Sequence, residues 1–284
     1  GSNTVSVLDT VTNTVVATVP VGREPKGAAV APDGQHAYVA NTGDNTVSVI
    51  ATATNTVAAT IPVGVKPKGV AVKPNGKRVY VTNSGSNTVS VIDTSTNTVL
   101  ATIPVGSLPI GVAFTPDGTL AYVVNQGSSN VSVIATATRT MVATVTVGLR
   151  PKEVAVIPDG QHAYVANAGS NNVSVIATAT NTVAATVTVG LTPFAVAITP
   201  DGTKAYVANS GSNTVSAIQT ATNRVVKTIP VGTIPVGVAV ALDGTHVYVA
   251  NNGSNNVSVL ARPGNAVVAT VAVETSPFGA GIMP

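Results

Sequence analysis

The chain has no cysteine and no tryptophan, only three phenylalanines, and charged side chains at just 9% of its positions. Without cysteine there can be no disulfide, no thiol nucleophile and no cysteine-bound metal. A formal charge of +3 permits weak attraction to anions but is no nucleic-acid signature. Aromatic residues make up 3% of the chain, too few for a stacking platform. Long apolar runs are missing too, although 44% of residues are hydrophobic and the mean hydropathy is +0.39. Gly, Pro, Thr or Asn breaks every run well short of the roughly 18 residues a spanning helix needs. There is no nucleophile elbow, phosphate loop or pair of catalytic carboxylates. No signal peptide or lipidation motif is visible, a trait a mature exported domain would share.

What the chain has in abundance is repetition. A Tyr-Val-x-Asn tetrapeptide begins at Tyr38, Tyr80, Tyr122, Tyr164, Tyr206 and Tyr248, always 42 residues apart, and these are all the tyrosines. Pro25, Pro67, Pro109, Pro151, Pro193, Pro235 and Pro277 keep the same interval through seven copies. Turn pairs such as Asp33-Gly34 and Asn75-Gly76 do likewise. Within one period, "GAAVA", "HAYVAN", "TVSVI" and "TVAATIPV" are short β-rich runs separated by Asx-Gly or polar turns. Four antiparallel strands per roughly 40 residues is the signature of a β-propeller blade. The sequence therefore predicts an all-β, seven-bladed propeller.

With strands lettered A to D from the axis outward, one propeller domain over 1–284 divides simply. Residues 25–64, 67–106, 109–148, 151–190, 193–232 and 235–274 are complete blades. Residues 1–22 supply strands C and D of a closing blade, and 277–284 supply its strand A. Seven periods of 42 need 294 residues, ten more than the 284 present, and those ten correspond to strand B of the closing blade. Three explanations stand: the strand belongs to chain outside these residues, a neighbouring chain or peptide adds it, or the blade has three strands. An exposed strand edge invites strand addition, so a peptide like "DGTHAYVANS" is expected to bind there.

The phrases "HAYVANTGDNTVSVI" and "KRVYVTNSGSNTVSVIDTSTNTVLATIPVG" resemble the YVTN-repeat β-propellers, with the motif itself at Tyr80-Val81-Thr82-Asn83. Such proteins are similar to surface-layer, periplasmic or secreted proteins. The resemblance implies an extracellular, periplasmic or cell-surface setting. It leaves activity open, since the motif is one of folding. More distant propeller relatives include haem-binding and lactone-cleaving enzymes, and some periplasmic members bind DNA.

Positions that differ between matching copies are the place to look for function. The loop from strand D to the next strand A varies most, and it should ring one mouth of the channel. One arc is basic, with Arg23, Lys26, Lys66, Lys68, Arg150 and Lys152; the other is apolar, with Phe194, Val236 and Phe278. Such a mouth suits an amphipathic anion, a glycan or an acidic protein. His36, His162 and His246 share one register on separate blades and cannot converge on a metal. The repeated tyrosines and asparagines read as inter-blade packing and turn hydrogen bonds. Asn130, Asn172 and Asn256 open Asn-Val-Ser sequons. The sequence thus predicts a non-catalytic scaffold or binding propeller without a cofactor, metal, nucleic-acid partner or membrane span. The alternatives are an anion- or nucleic-acid-binding propeller and a lactonase-like or haem-binding enzyme.

Overall fold

The computed structural model describes residues 1–283, and every regular element in them is a β-strand. Strands β1 (Thr4–Asp9) and β2 (Thr14–Pro20) form a two-stranded antiparallel sheet. Then β3 (Pro25–Val30), β4 (His36–Asn41), β5 (Thr46–Ala51) and β6 (Thr56–Pro62) form the first four-stranded meander. Five more follow in the same order: β7–β10 over residues 67–104, β11–β14 over 109–146, β15–β18 over 151–188, β19–β22 over 193–230 and β23–β26 over 235–272. The expected propeller is present as six complete blades and a partial seventh.

The alternation of each strand sets the packing. In β4, Tyr38 and Ala40 face one neighbouring blade while Val39 faces the other, because sheets in a propeller are covered on both sides. Tyr38, Val47, Val49 and Ile61 of the first blade thereby join Val70, Val79, Val81 and Ile92 of the second in one buried cluster. A fully buried valine or isoleucine contributes roughly 1.5–3 kcal/mol before entropy is counted. Outer strands bury little, and Ile61 of β6 is the one fully buried residue in its strand.

Three of the six tyrosines hydrogen-bond from blade to blade. Tyr122, Tyr164 and Tyr206 donate to Asn181, Asn223 and Asn265, each in the C–D turn of the next blade, at 2.7, 2.7 and 2.5 Å. Those asparagines sit at left-handed φ of 52–54°, a conformation Asn tolerates better than most residues. Desolvation pushes the Tyr122 and Tyr164 phenols up to about 12. The motif asparagine works within its blade: Asn41 Nδ2 donates to Thr46 and Ser48, and all five other full blades repeat the pair.

The closing blade departs from expectation in one respect. Residues 277–283 occupy the place of strand A without being a strand; Pro284 lies outside the described residues. The segment still docks, because Asn252 Nδ2 donates to Pro277 O at 3.1 Å and Ser276 N to Asn255 Oδ1 at 2.8 Å. Among the described residues no strand B lies beside it to offer a ladder, so the segment forms no strand. For the same reason β1 is half-exposed along its whole length, whereas β5 is buried over its four central residues.

Candidate functional site

Each D–A loop crosses the top of the propeller and starts the innermost strand at its proline. Its second residue is held at φ of 50–55°: Glu24, Lys66, Leu108, Arg150, Thr192, Ile234 and Ser276. In every loop but that of Arg150, where Ser129 stands instead, an asparagine before the preceding strand C accepts from that residue's amide, as Asn45 does for Lys66 at 2.8 Å. The loop also accepts from the B–C loop, with Gly43 N donating to Arg23 O and Thr42 N to Glu24 O. The two loop types therefore share one face, as expected.

The residue after each proline begins the ring at the mouth: Lys26, Lys68, Ile110, Lys152, Phe194, Val236 and Phe278. The structure brings four of these into contact. Lys26 Nζ lies 4.2 Å from the Phe278 ring centre, Phe278 meets Phe194 edge-on at 5.3 Å, and Lys152 Nζ stands 5.2 Å from Phe194. Lys152 Nζ also donates to Gln126 Oε1 at 3.1 Å. Desolvation, then the charge of Lys26, lowers the Lys68 pKa. Desolvation, Arg150 and Lys68 lower that of Lys152. Lys26, Lys68 and Lys152 thus form one field of positive charge bordered by two phenyl rings. The remaining predicted residues, Arg23, Lys66 and Arg150, are exposed on the rim, and Arg23 is turned onto Asp44.

One residue escaped the sequence reading. One step further along the inner strands the copies read Gly27, Gly69, Gly111, Glu153, Ala195, Gly237 and Gly279. Glycine recurs because a Cβ on Gly27 would meet Lys68 O at 2.3 Å, and one on Gly69 would meet Ile110 O at 2.1 Å. Into this constriction β15 (Pro151–Val156) places Glu153, the only carboxylate on any inner strand. Its Oε1 lies 2.6 Å from where a Cβ on Gly111 would stand, so the side chain fills the space that glycine leaves. The residue keeps partial exposure to the channel while its carboxyl is buried. Burial raises the pKa to about 7, opposed only by the Val154 amide, which donates at 3.3 Å. The signal was available as the one charged residue in a column of glycine and alanine.

Among the described residues no three His, Cys, Asp or Glu side chains gather to hold a metal. No helix is long and apolar enough to cross a membrane. His36, His162 and His246 open β4, β16 (His162–Asn167) and β24 (His246–Asn251), on the face away from the mouth. Asn130, Asn172 and Asn256 of the sequons accept from the motif asparagines of their own blades.

A closed ring of antiparallel blades with a charged, partly apolar channel mouth defines a seven-bladed β-propeller. The chain belongs to the family "Lactonase, 7-bladed beta-propeller", which matches residues 6–146 and again 140–276. Among solved structures, hydrazine synthase from Kuenenia stuttgartiensis is 25% identical, with a TM-score of 0.84 over 93% of this chain and 92% of that one. A functionally unknown protein from Desulfotomaculum acetoxidans DSM 771 is 20% identical, with a TM-score of 0.85 over 98% and 95%, a likeness of fold alone. Among curated proteins the chain has no match. The family overturns the expectation of a non-catalytic scaffold and favours the enzymatic alternative; at the level of the family it also runs against the expectation that the chain is no enzyme.

Proposed function

We propose that the chain hydrolyses a small anionic lactone in the channel mouth. Glu153 is the observation that carries this reading. A carboxyl ionising at about 7 is suited to move protons at neutral pH, where an ordinary glutamate is too weak a base. In this scheme Lys26, Lys68 and Lys152 hold the anionic substituent and the developing oxyanion, while Phe194 and Phe278 cover the apolar face of the ring.

The reaction needs only water. Glu153 takes a proton as the water oxygen bonds to the lactone carbonyl carbon, giving a tetrahedral oxyanion. That intermediate collapses with cleavage of the ring C–O bond, and Glu153 returns the proton to the departing alkoxide. The product is a hydroxy acid, whose new carboxyl loses its own proton to solvent. The verbatim YVTN motif supports placing the chain in the YVTN-repeat branch of its family.

A panel of γ- and δ-lactones with and without an anionic substituent, followed by acid release, tests the scheme. E153Q should lower kcat by roughly 10²–10⁴-fold, the range of a lost acid–base group. K68M should mainly raise KM for the anionic members. Turnover by E153Q equal to that of the unaltered protein would remove Glu153 from the reaction.

A further inference from the structure

The opposite face, formed by the A–B and C–D turns, carries a second cluster of repeat departures. Blade 2 has Lys73, Lys77 and Arg78 in and after its A–B turn, where blade 3 has Thr115, Thr119 and Leu120. Blade 3 faces them with Arg139, at a position held by Asn in every other C–D turn: Asn13, Asn55, Asn97, Asn181, Asn223 and Asn265. Arg139 has φ of 58°, a left-handed conformation that long side chains rarely adopt. Arginine has no acceptor to offer the buried Tyr80, which, like Tyr38, has no hydrogen-bond partner among the described residues.

These departures surround one cavity of about 170 Å³, lined by Lys73, Lys77, Arg78, Tyr80, Thr136 and Arg139 among others. Lys73 spans the junction, its Nζ donating to Thr136 Oγ1 at 3.2 Å. Arg78 is paired with Asp93 at 3.0 Å. Lys73, Lys77 and Arg139 have no carboxylate partner among the described residues. Three uncompensated cations thus converge on one pocket from two blades, with a phenol donor in its wall.

We propose that this junction of blades 2 and 3 is a binding site for a dianionic phosphoryl group, free or esterified. Its donors come from several directions, which fits a tetrahedral anion better than a planar carboxylate. The site stands apart from the channel mouth and does not depend on the lactonase reading.

Calorimetric titration of the full chain at low salt tests it, with inorganic phosphate, glycerol 3-phosphate and acetate as probes. A K68M/K152M background silences the mouth, so the remaining binding reports this junction. R139N is the deciding variant, because it restores the residue every other blade carries and offers Tyr80 an acceptor. Phosphate affinity should fall at least about ten-fold in R139N and in K73A, while the melting temperature of R139N stays or rises. A gain for glycerol 3-phosphate over phosphate would identify an esterified ligand, and equal affinity a free one. Unchanged phosphate binding in R139N, competition by acetate at equal concentration, or no phosphate binding at all would overturn the proposal.

Discussion

Lys26 Nζ stands 4.2 Å from the centre of the Phe278 ring, joining the first complete blade to the C-terminal segment across the closing seam. Phe278 reaches on to Phe194, two blades away. The segment carrying Phe278 has no ladder pairing, so side-chain contacts and a few loop hydrogen bonds hold it in place. Ile282 adds to these by packing beside Leu8 and Tyr248.

The seam should therefore be sensitive to a single ring. F278L keeps apolar volume but removes the cation–π and edge contacts, worth about 0.5–1.5 kcal/mol each. The expected fall in melting temperature is roughly 2–6 °C for a chain of this size. A double-mutant cycle with K26M should show coupling of about 0.5–1 kcal/mol. Independent effects of the two substitutions would mean that the pairing does not support closure.

Glu153 makes stability depend on pH. Its folded pKa, about 7, lies above the ordinary 4.5. Below pH 4.5 both states are protonated and the group contributes nothing. Between 4.5 and 7 the unfolded chain ionises first, so stability falls as pH rises, by about 3 kcal/mol in total. Above 7 the loss is complete and constant. Urea midpoints taken from pH 4.5 to 8 should show this decline in the unaltered protein and a flatter profile in E153Q. Parallel profiles would show that Glu153 ionises normally in the channel.

The period of 42 made the blades, their boundaries and the mouth legible, because spacing alone fixes which residues share a register. The contrast between Lys26, Lys68, Lys152 and the two phenylalanines could be read in the same way. Glu153 stood out only as the one charge in a column of glycine and alanine; nothing in the sequence says that this column is where backbones of adjacent blades nearly touch. Arg139 was hidden for a similar reason. Its importance depends on Tyr80 reaching a turn 59 residues on, a relation set by the stagger between blades. The final strand was over-read, since a strand needs a partner as well as a sequence.

The tyrosine–asparagine contacts are the repeated link between blades, and deleting one acceptor should cost more than its size suggests. N265A leaves the buried Tyr206 hydroxyl without an acceptor, a penalty of about 1–3 kcal/mol. Y206F removes the donor and keeps the ring, leaving Asn265 Oδ1 without a partner as Asn13 and Asn97 Oδ1 already are in their turns, a state the fold tolerates. N265A should therefore unfold at lower urea than Y206F. The reverse order would mean that the asparagine serves only its own left-handed turn.

Glu274 decides what can enter beside β1. In every full blade the motif asparagine packs on a glycine of the preceding D–A loop; a Cβ on Gly22 would lie 2.6 Å from Asn41 Cγ, and Gly64, Gly106, Gly148, Gly190 and Gly232 are equally tight. At the closing blade the equivalent residue is Glu274. Thr4 and Ser6 occupy the positions that elsewhere receive the asparagine amide, as Thr46 and Ser48 do. The acceptors are thus in place, while an asparagine seated there would meet a Cβ where every full blade has glycine. A labelled DGTHAYVANS peptide should bind E274G at least about ten-fold more tightly than the unaltered chain, given the clash that a Cβ creates there. Fluorescence anisotropy would measure it. Equal, tight binding to both would show that the strand enters in another register. Failure of either to bind would mean that β1 does not accept this strand as a separate peptide.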